Sequence, residues 1–442
     1  MTKFFNILTA FAALSLFTAC SSDEVVEKND SDNVIAFKAS TANASRALST
    51  SYWCNYSVPT TFDVHAEYSA DGTNWVQYFE SETYKYNSGK WLIEGDYRYW
   101  PKNGTWKMSL VSAYGANEGA IGPDGTKIYH KIQPTWNRTN TAGKKCASVV
   151  DFALEGKAEE QVDLIYANTV VANTKPTNGV ASMNFRHALS QICFKAMTET
   201  SHLYVEIKNV NLHNIYSQGT YNLPAYGVST DGNKVSHDHS AAAPTTGIGE
   251  WVSLTRGTNS FSSIAYTADR VGDLEVIELD KVDYSFNISD DSYTSSKHVN
   301  YEHSFLVIPC NNLSVWAPGT APSSSGDAYI SLRCKIRNVS AYNSVVDGKI
   351  AVSPSDYYIL GSNGGELSNY GELIIPFPSN ITWEQGKKYV YTIIFNKTEG
   401  GGYDTNGNKV LVPVKLDVTV DDFGSASDTN IELENGTITT NP

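Results

Sequence analysis

Three kinds of side chain in this 442-residue chain could do chemistry: imidazoles, paired carboxylates and thiols. His237-Asp-His239 offers two imidazoles that could ligate a metal. It sits in a polar stretch with no third ligand nearby, so the expected state is a solvated loop and no metal. His187 lies in Phe185-Arg-His-Ala188, where a histidine hydrogen-bonded near a strand end is expected. The acid pairs Asp290-Asp291 and Asp421-Asp422 fall in loops or at strand ends. Glycosidase chemistry depends on the spatial separation of two carboxyls, which adjacency in sequence does not set. The chain has no G-x-S-x-G, no HExxH and no phosphate-binding glycine loop. The expectation is a protein with no catalytic residues and no cofactor.

The thiols point elsewhere. Cysteines occur at 20, 54, 146, 193, 310 and 334, with no CxxC pair. Cys20 follows Lys3 and a mostly apolar run from Phe4 to Ala19, too short to span a bilayer at roughly 20 residues. That run has the form of a secretion signal, residues 1–19. Leu16-Phe-Thr-Ala-Cys20 resembles a bacterial lipobox, in which the cysteine is acylated and becomes the new N-terminus. Several acyl chains anchor stably where one does not. An ordinary signal cut near Ala19 is the alternative. Residues 20–33 are polar and acidic, a composition that cannot bury a core and reads as a tether. Acidic residues behind a lipidated cysteine also resemble a signal for export to the cell surface. With Cys20 acylated, five cysteines remain, so at least one is unpaired, and buried thiols acting as small hydrophobes are expected.

Positioning falls to β-structure. The chain carries 27 Tyr and 9 Trp, and 41% of its residues are hydrophobic, enough for substantial cores. Aromatic and β-branched residues suit a half-buried pleated surface. The net charge of −14 excludes nucleic acid as a partner. Strands are predicted at 34–39, 61–68, 75–79, 82–86, 90–94, 97–101, 105–114, 162–171, 180–185, 191–197, 202–212, 304–308, 329–337, 372–376, 388–395 and 410–421. Asn87-Ser-Gly89 reads as a hairpin turn. Brief helices are expected near 150–155 and 185–190, and long polar loops at 219–261 and 318–327. The turn-rich Asn173–Gly179 suggests a domain break near 180. The resulting fold is all-β, with one sandwich at 34–179, a second at 180–423 and a tail at 424–442.

Several segments, in order, resemble the fimbrillin-like family of type V pilus subunits and accessory proteins. They are Val34-Ile-Ala-Phe37 with Ser45-Arg46-Ala47, Tyr97-Arg-Tyr-Trp-Pro101, Met183-Asn-Phe-Arg-His-Ala-Leu189 and Val205–Leu212 with Gly219-Thr-Tyr221. Phe305-Leu-Val-Ile-Pro309, Trp383–Tyr391 and Val418–Phe423 complete the set. The resemblance covers residues 34 to 423 and implies tandem transthyretin-like, Greek-key β-sandwiches behind a lipoprotein signal. It further implies that an Arg-specific protease cuts between Arg46 and Ala47. The strand carrying Val34, Ile35 and Phe37 then leaves, and a neighbouring subunit's strand fills the groove. Partners would be neighbouring pilus subunits, the outer membrane through Cys20, the protease, and a host or bacterial surface ligand. Ile431, Leu433 and Ile438 in the tail read as a weak donor strand or a small hairpin around Asn435-Gly436. The alternative is a permanently lipid-anchored surface protein, a pilus anchor included. It would bind glycan or protein, with Trp53, Trp75, Trp91 and Trp136 offering rings to sugars.

Overall fold

The computed structural model describes residues 33–41, 61–102, 104–121, 127–130, 132–156, 161–198, 203–228, 248–256, 263–267, 305–323, 326–338, 357–364, 366–395, 401–410 and 413–422. Short strand pieces are also described between 269 and 287 and between 345 and 350. The strands of the first half are β1 Ala36–Thr41, β2 Thr61–Ser69, β3 Val76–Asn87, β4 Lys90–Ile93, β5 Lys107–Ile121, β6 Lys127–His130 and β7 Thr135–Thr139. They continue as β8 Lys145–Ala153, β9 Asp163–Ala172, β10 Val180–His187, β11 Ser190–Thr198, β12 Leu203–His213, β13 Tyr216–Asn222 and β14 Glu250–Arg256.

The first sheet runs β2-β3-β4-β1-β10-β9-β5-β6, and β2 also pairs with β5. That extra pairing closes seven strands into a barrel, where a β-sandwich was expected. Closure removes the free edges that an open sheet must protect. Inward residues of β2 show why it forms: Phe62, Val64 and Ala66 are buried in the core, with polar Asp63, His65 and Glu67 alternating between them. The outward His65 and Glu67 are nevertheless buried, because a second sheet of order β14-β13-β8-β7 includes Trp136, which lies flat on His65 at 3.7 Å.

β10 begins at the residue where a domain break was expected, yet it pairs into the barrel between β1 and β9. β11 then opens a third sheet. It pairs in parallel with Lys387–Phe395 over eight positions, and Lys387–Phe395 pairs antiparallel with Val414–Asp422. A fourth sheet is built on β12 and Tyr329–Asn338, with Gly371–Ile375 beside it.

No α-helix occurs among the described residues; 3-10 turns span Thr177–Gly179 and Leu367–Asn369. The expected helices at 150–155 and 185–190 are corrected to the ends of β8 and β10 and the start of β11. Both are short apolar runs, which periodicity alone cannot divide between helix and strand. In the first, Asp151 at φ 54° lies where the pairing of β8 with β13 shifts register, between Val149 and Phe152. The loop expected over 219–261 is in part β13 and β14. Glycine and polar residues hid that hairpin, and its pairing is broken by bulges near Gln218 and Thr220.

Candidate functional site: the first strand and its seat

β1 lies inside the barrel wall. It pairs in parallel with β10 from Ala36–Val180 to Thr41–Phe185, and antiparallel with β4 at Phe37–Trp91. Ile35 and Phe37 are fully buried, Ala36 is 2% exposed and Lys38 points to solvent. Ile35, Phe37 and Ala39 join the main core. The Phe37 ring meets Tyr84 edge-on at 4.6 Å and Phe62 at 6.0 Å. Phe62 in turn contacts Trp91 at 5.8 Å and Phe185 at 5.3 Å, and Tyr114 reaches Phe185 at 5.1 Å. The seat is therefore an aromatic pocket contributed by β2, β3, β4, β5 and β10. Burial pushes the Tyr84 hydroxyl pKa well above the usual tyrosine range, with the nearby Glu82 carboxylate adding to the shift.

One end of the strand is gripped by residues 97–100. The Ile35 N–H donates to the Arg98 carbonyl at 2.8 Å, and the Trp100 N–H donates to the Asn33 carbonyl at 3.0 Å. Val34 and Tyr99 form an isolated antiparallel bridge. Here 97–101, read from sequence as a strand, is a single bridge closed by Pro101, which has no N–H to give.

Of the residues singled out from sequence, Val34, Ile35 and Phe37 are brought together in this seat. Cys20, Arg46, Ala47, Trp53, His237, His239, Asp290, Asp291 and the tail from 424 lie outside the described residues. For Asp421-Asp422, only the strand backbone at the end of Val414–Asp422 is described. His187 Nδ1 sits 2.5 Å from Oδ2 of the fully buried Asp163, the structural histidine expected at a strand end. Burial raises the Asp163 pKa, and the neighbouring His187 offsets only part of that rise.

The three described tryptophans of the four proposed for sugar stacking make packing contacts. Trp91 lies against Phe62 and Tyr86, Trp136 lies on His65, and Trp75 meets Tyr226 at 6.1 Å. Exposed rings come from tyrosines instead. Tyr78 and Tyr97 are 41% and 55% exposed and line an open cavity of about 500 Å³ with Glu80, Glu82 and Arg98. Sequence reasoning missed Tyr84, Tyr78, Glu82 and Arg98. The usable signal was the strand predicted at Glu82–Tyr86, in which Tyr84 is buried while Lys85 and Tyr86 are exposed.

Cys146, Cys310 and Cys334 are buried free thiols, and Cys193 is buried as well. Burial raises the Cys146 pKa and pushes that of Cys310 up to about 11, so both stay protonated at neutral pH. Among the described residues no cluster of three metal-ligating side chains occurs.

No curated protein matches the chain. Among solved structures, similarity extends to a protein described as a candidate cell adhesion protein from Bacteroides uniformis. It is 12% identical, with 89% of this chain and 98% of that one covered, at a TM-score of 0.36. A similarly described protein from Bacteroides ovatus is 11% identical, with 88% and 97% covered and a TM-score of 0.36. The tip fimbrial protein Mfa3 from Porphyromonas gingivalis is 9% identical, with 87% and 97% covered and a TM-score of 0.27. The fimbrillin-like family profile matches residues 22–320, more than half of the sequence, and on that match the chain belongs to the fimbrillin-like family.

Proposed function

We propose that this protein is a structural or accessory subunit, a tip subunit included, of a type V cell-surface pilus that serves adhesion. It is exported behind a lipoprotein signal, anchored to the outer membrane through acylated Cys20, and cut between Arg46 and Ala47 by an Arg-specific protease. A neighbouring subunit then adds its strand.

The observation that supports this reading is the seat of β1. Hydrolysis after Arg46 leaves a carboxylate on Arg46 and an amine on Ala47, and residues up to Arg46 are then held by non-covalent contacts alone. Departure of β1 separates β4 from β10 and bares the core once covered by Ile35 and Phe37. Each such side chain is worth about 1.5–3 kcal/mol in water. An opened wall of this kind offers unpaired backbone groups and vacant pockets, which a strand with alternating apolar residues satisfies.

N-terminal sequencing and mass measurement of the surface-extracted protein test the reading. A start at Ala47 is the expected result for fibre-assembled material, and a start at acylated Cys20 for the precursor. If Arg-specific digestion yields no chain starting at Ala47 and no polymer, the donor-strand reading fails. Cys20→Ala should release the precursor from membranes. A second reading, a permanently anchored glycan- or protein-binding surface protein, draws on the exposed Tyr78 and Tyr97 beside their open cavity. Retained glycan-array binding by an uncleaved form would favour it.

A further inference from the structure

Residues 97–100 hold residues 33–35, just ahead of β1, through backbone hydrogen bonds, so what fixes them against the barrel decides how firmly they hold the strand. Three ties do so. The Tyr78 hydroxyl donates to the Tyr99 carbonyl at 2.8 Å. Arg98 Nη2 pairs with a Glu82 carboxylate oxygen. The Trp100 indole N–H donates to the Gly179 carbonyl at 2.9 Å, one residue before β10 begins. Trp100 is buried against Trp106, their rings 6.4 Å apart. The far end is different. Tyr97, Arg98 and Tyr99 border the open cavity lined by Tyr78 and Glu82, with Tyr97 exposed and Arg98 and Tyr99 half-buried. The segment is therefore a strap, fixed hard at Trp100 and lightly at Arg98 and Tyr99. Its light end carries the carbonyl that receives the Ile35 N–H.

We infer that Tyr78, Glu82 and Arg98 are positioning residues that set the lifetime of the seated first strand, by holding the strap whose backbone grips residues 33–35. The inference rests on the donor-strand reading for its biological meaning, though not for its geometry. β1 cannot peel from its N-terminal end until the Ile35–Arg98 and Trp100–Asn33 bonds open. Those bonds open more often when the strap's side-chain ties are cut. The far end of β1, Ala39–Thr41 against Met183–Phe185, has no such strap among the described residues.

Two measurements on the full chain test this. The first is hydrogen exchange of the uncleaved protein, read by mass spectrometry on peptides spanning 33–36 and 97–101. Tyr78→Phe keeps the ring and removes one hydrogen bond worth about a factor of five. Glu82→Gln removes the ion pair. Each should speed exchange in both peptides about fivefold, with the β10 peptide unchanged. Glu94→Gln cuts the exposed Lys85–Glu94 pair, which does not touch the strap, and should change nothing. The second measurement follows replacement of β1 in protein nicked at Arg46, by a labelled synthetic peptide of residues 33–41. Both strap variants should exchange about fivefold faster than the parent. Added salt should speed the parent and leave Glu82→Gln unaffected. Unchanged exchange at 33–36 in both variants overturns the inference. If that exchange does quicken but no nicked protein ever takes up peptide, the strap stands and the donor-strand reading falls.

Discussion

Phe37 shows how one side chain concentrates the packing of the first strand. Its ring lies between Tyr84 and Phe62, with no exposed surface. Phe37→Ala should lower stability by about 3–5 kcal/mol in urea unfolding, the range for a buried phenylalanine that leaves a cavity. Phe37→Leu should cost far less. A cost below about 1 kcal/mol for the alanine variant would show that the seat collapses readily without its ring. Phe37 was legible in sequence, since Val-Ile-Ala-Phe announces a buried strand. Tyr84 was not, because a residue 47 positions away meets it only once the strands have assembled into the barrel wall. A second residue-scale effect concerns acid. His213 lies parallel to Tyr329 at 4.2 Å and bonds Ser331 Oγ at 2.8 Å, and burial lowers its pKa to about 4. The unfolded chain binds that proton near pH 6.5 and the folded chain resists it. Its contribution is thus fully present above about pH 6.5 and is lost as pH falls toward 4. In His213→Gln, the fall in urea midpoint between pH 7 and pH 4 should be shallower than in the parent.

At the scale of elements, the β3–β4 hairpin was readable and the β13–β14 hairpin was not, for one physical reason. Asn87 pairs with Lys90 across a two-residue turn. Ser88 and Gly89 adopt φ 50° and 89°, both left-handed, as a turn matched to strand twist requires. Such a turn needs particular residue types, so it shows in sequence. β13 and β14 are joined by a long connection and paired through bulges, and nothing local specifies either. The helix misreadings have the same root, since short apolar runs take their conformation from partners far along the chain. The turn itself yields a prediction. A Cβ on Gly89 would meet nothing within 4 Å, so any cost of Gly89→Ala is backbone strain alone. That cost should be about 1–2 kcal/mol. Ser88→Asn should be neutral or slightly stabilising, because asparagine tolerates the left-handed region. Thermal unfolding of the two variants, one down and one up or level, checks the turn type; equal loss from both would contradict it.

For the whole molecule, the question is whether the barrel and the later sheets unfold together. The apolar core runs without a break from Ile35 in the barrel to Leu416 in the third sheet. Polar ties cross the same boundary. The Tyr221 hydroxyl donates to Gln385 Oε1, and the Gln385 amide donates to the Tyr166 hydroxyl on β9. The most demanding tie is Gln161, fully buried just before β9. Its amide donates to the Leu306 carbonyl at 3.1 Å, and its carbonyl accepts the Leu306 N–H at 2.7 Å. Leu306 is paired on its other edge with Gln191 of β11, so the Gln161 side chain stands in for a missing neighbour strand. Gln161→Ala leaves a buried N–H and a buried carbonyl without these bonds, at about 1–3 kcal/mol each. The expected total loss is several kcal/mol, far more than a surface glutamine could give. Because the residue belongs to both regions, the loss should lower a single calorimetric transition as a whole. Gln161→Glu should be nearly as damaging, since a carboxylate cannot donate to the Leu306 carbonyl. Two separate transitions in the parent, with only one moved by Gln161→Ala, would mean that the barrel and the later sheets fold independently. A single transition shifted intact would mean that opening the first strand's seat is felt through the whole fold. In that case the strand exchange proposed at β1 would alter stability far beyond the seat itself.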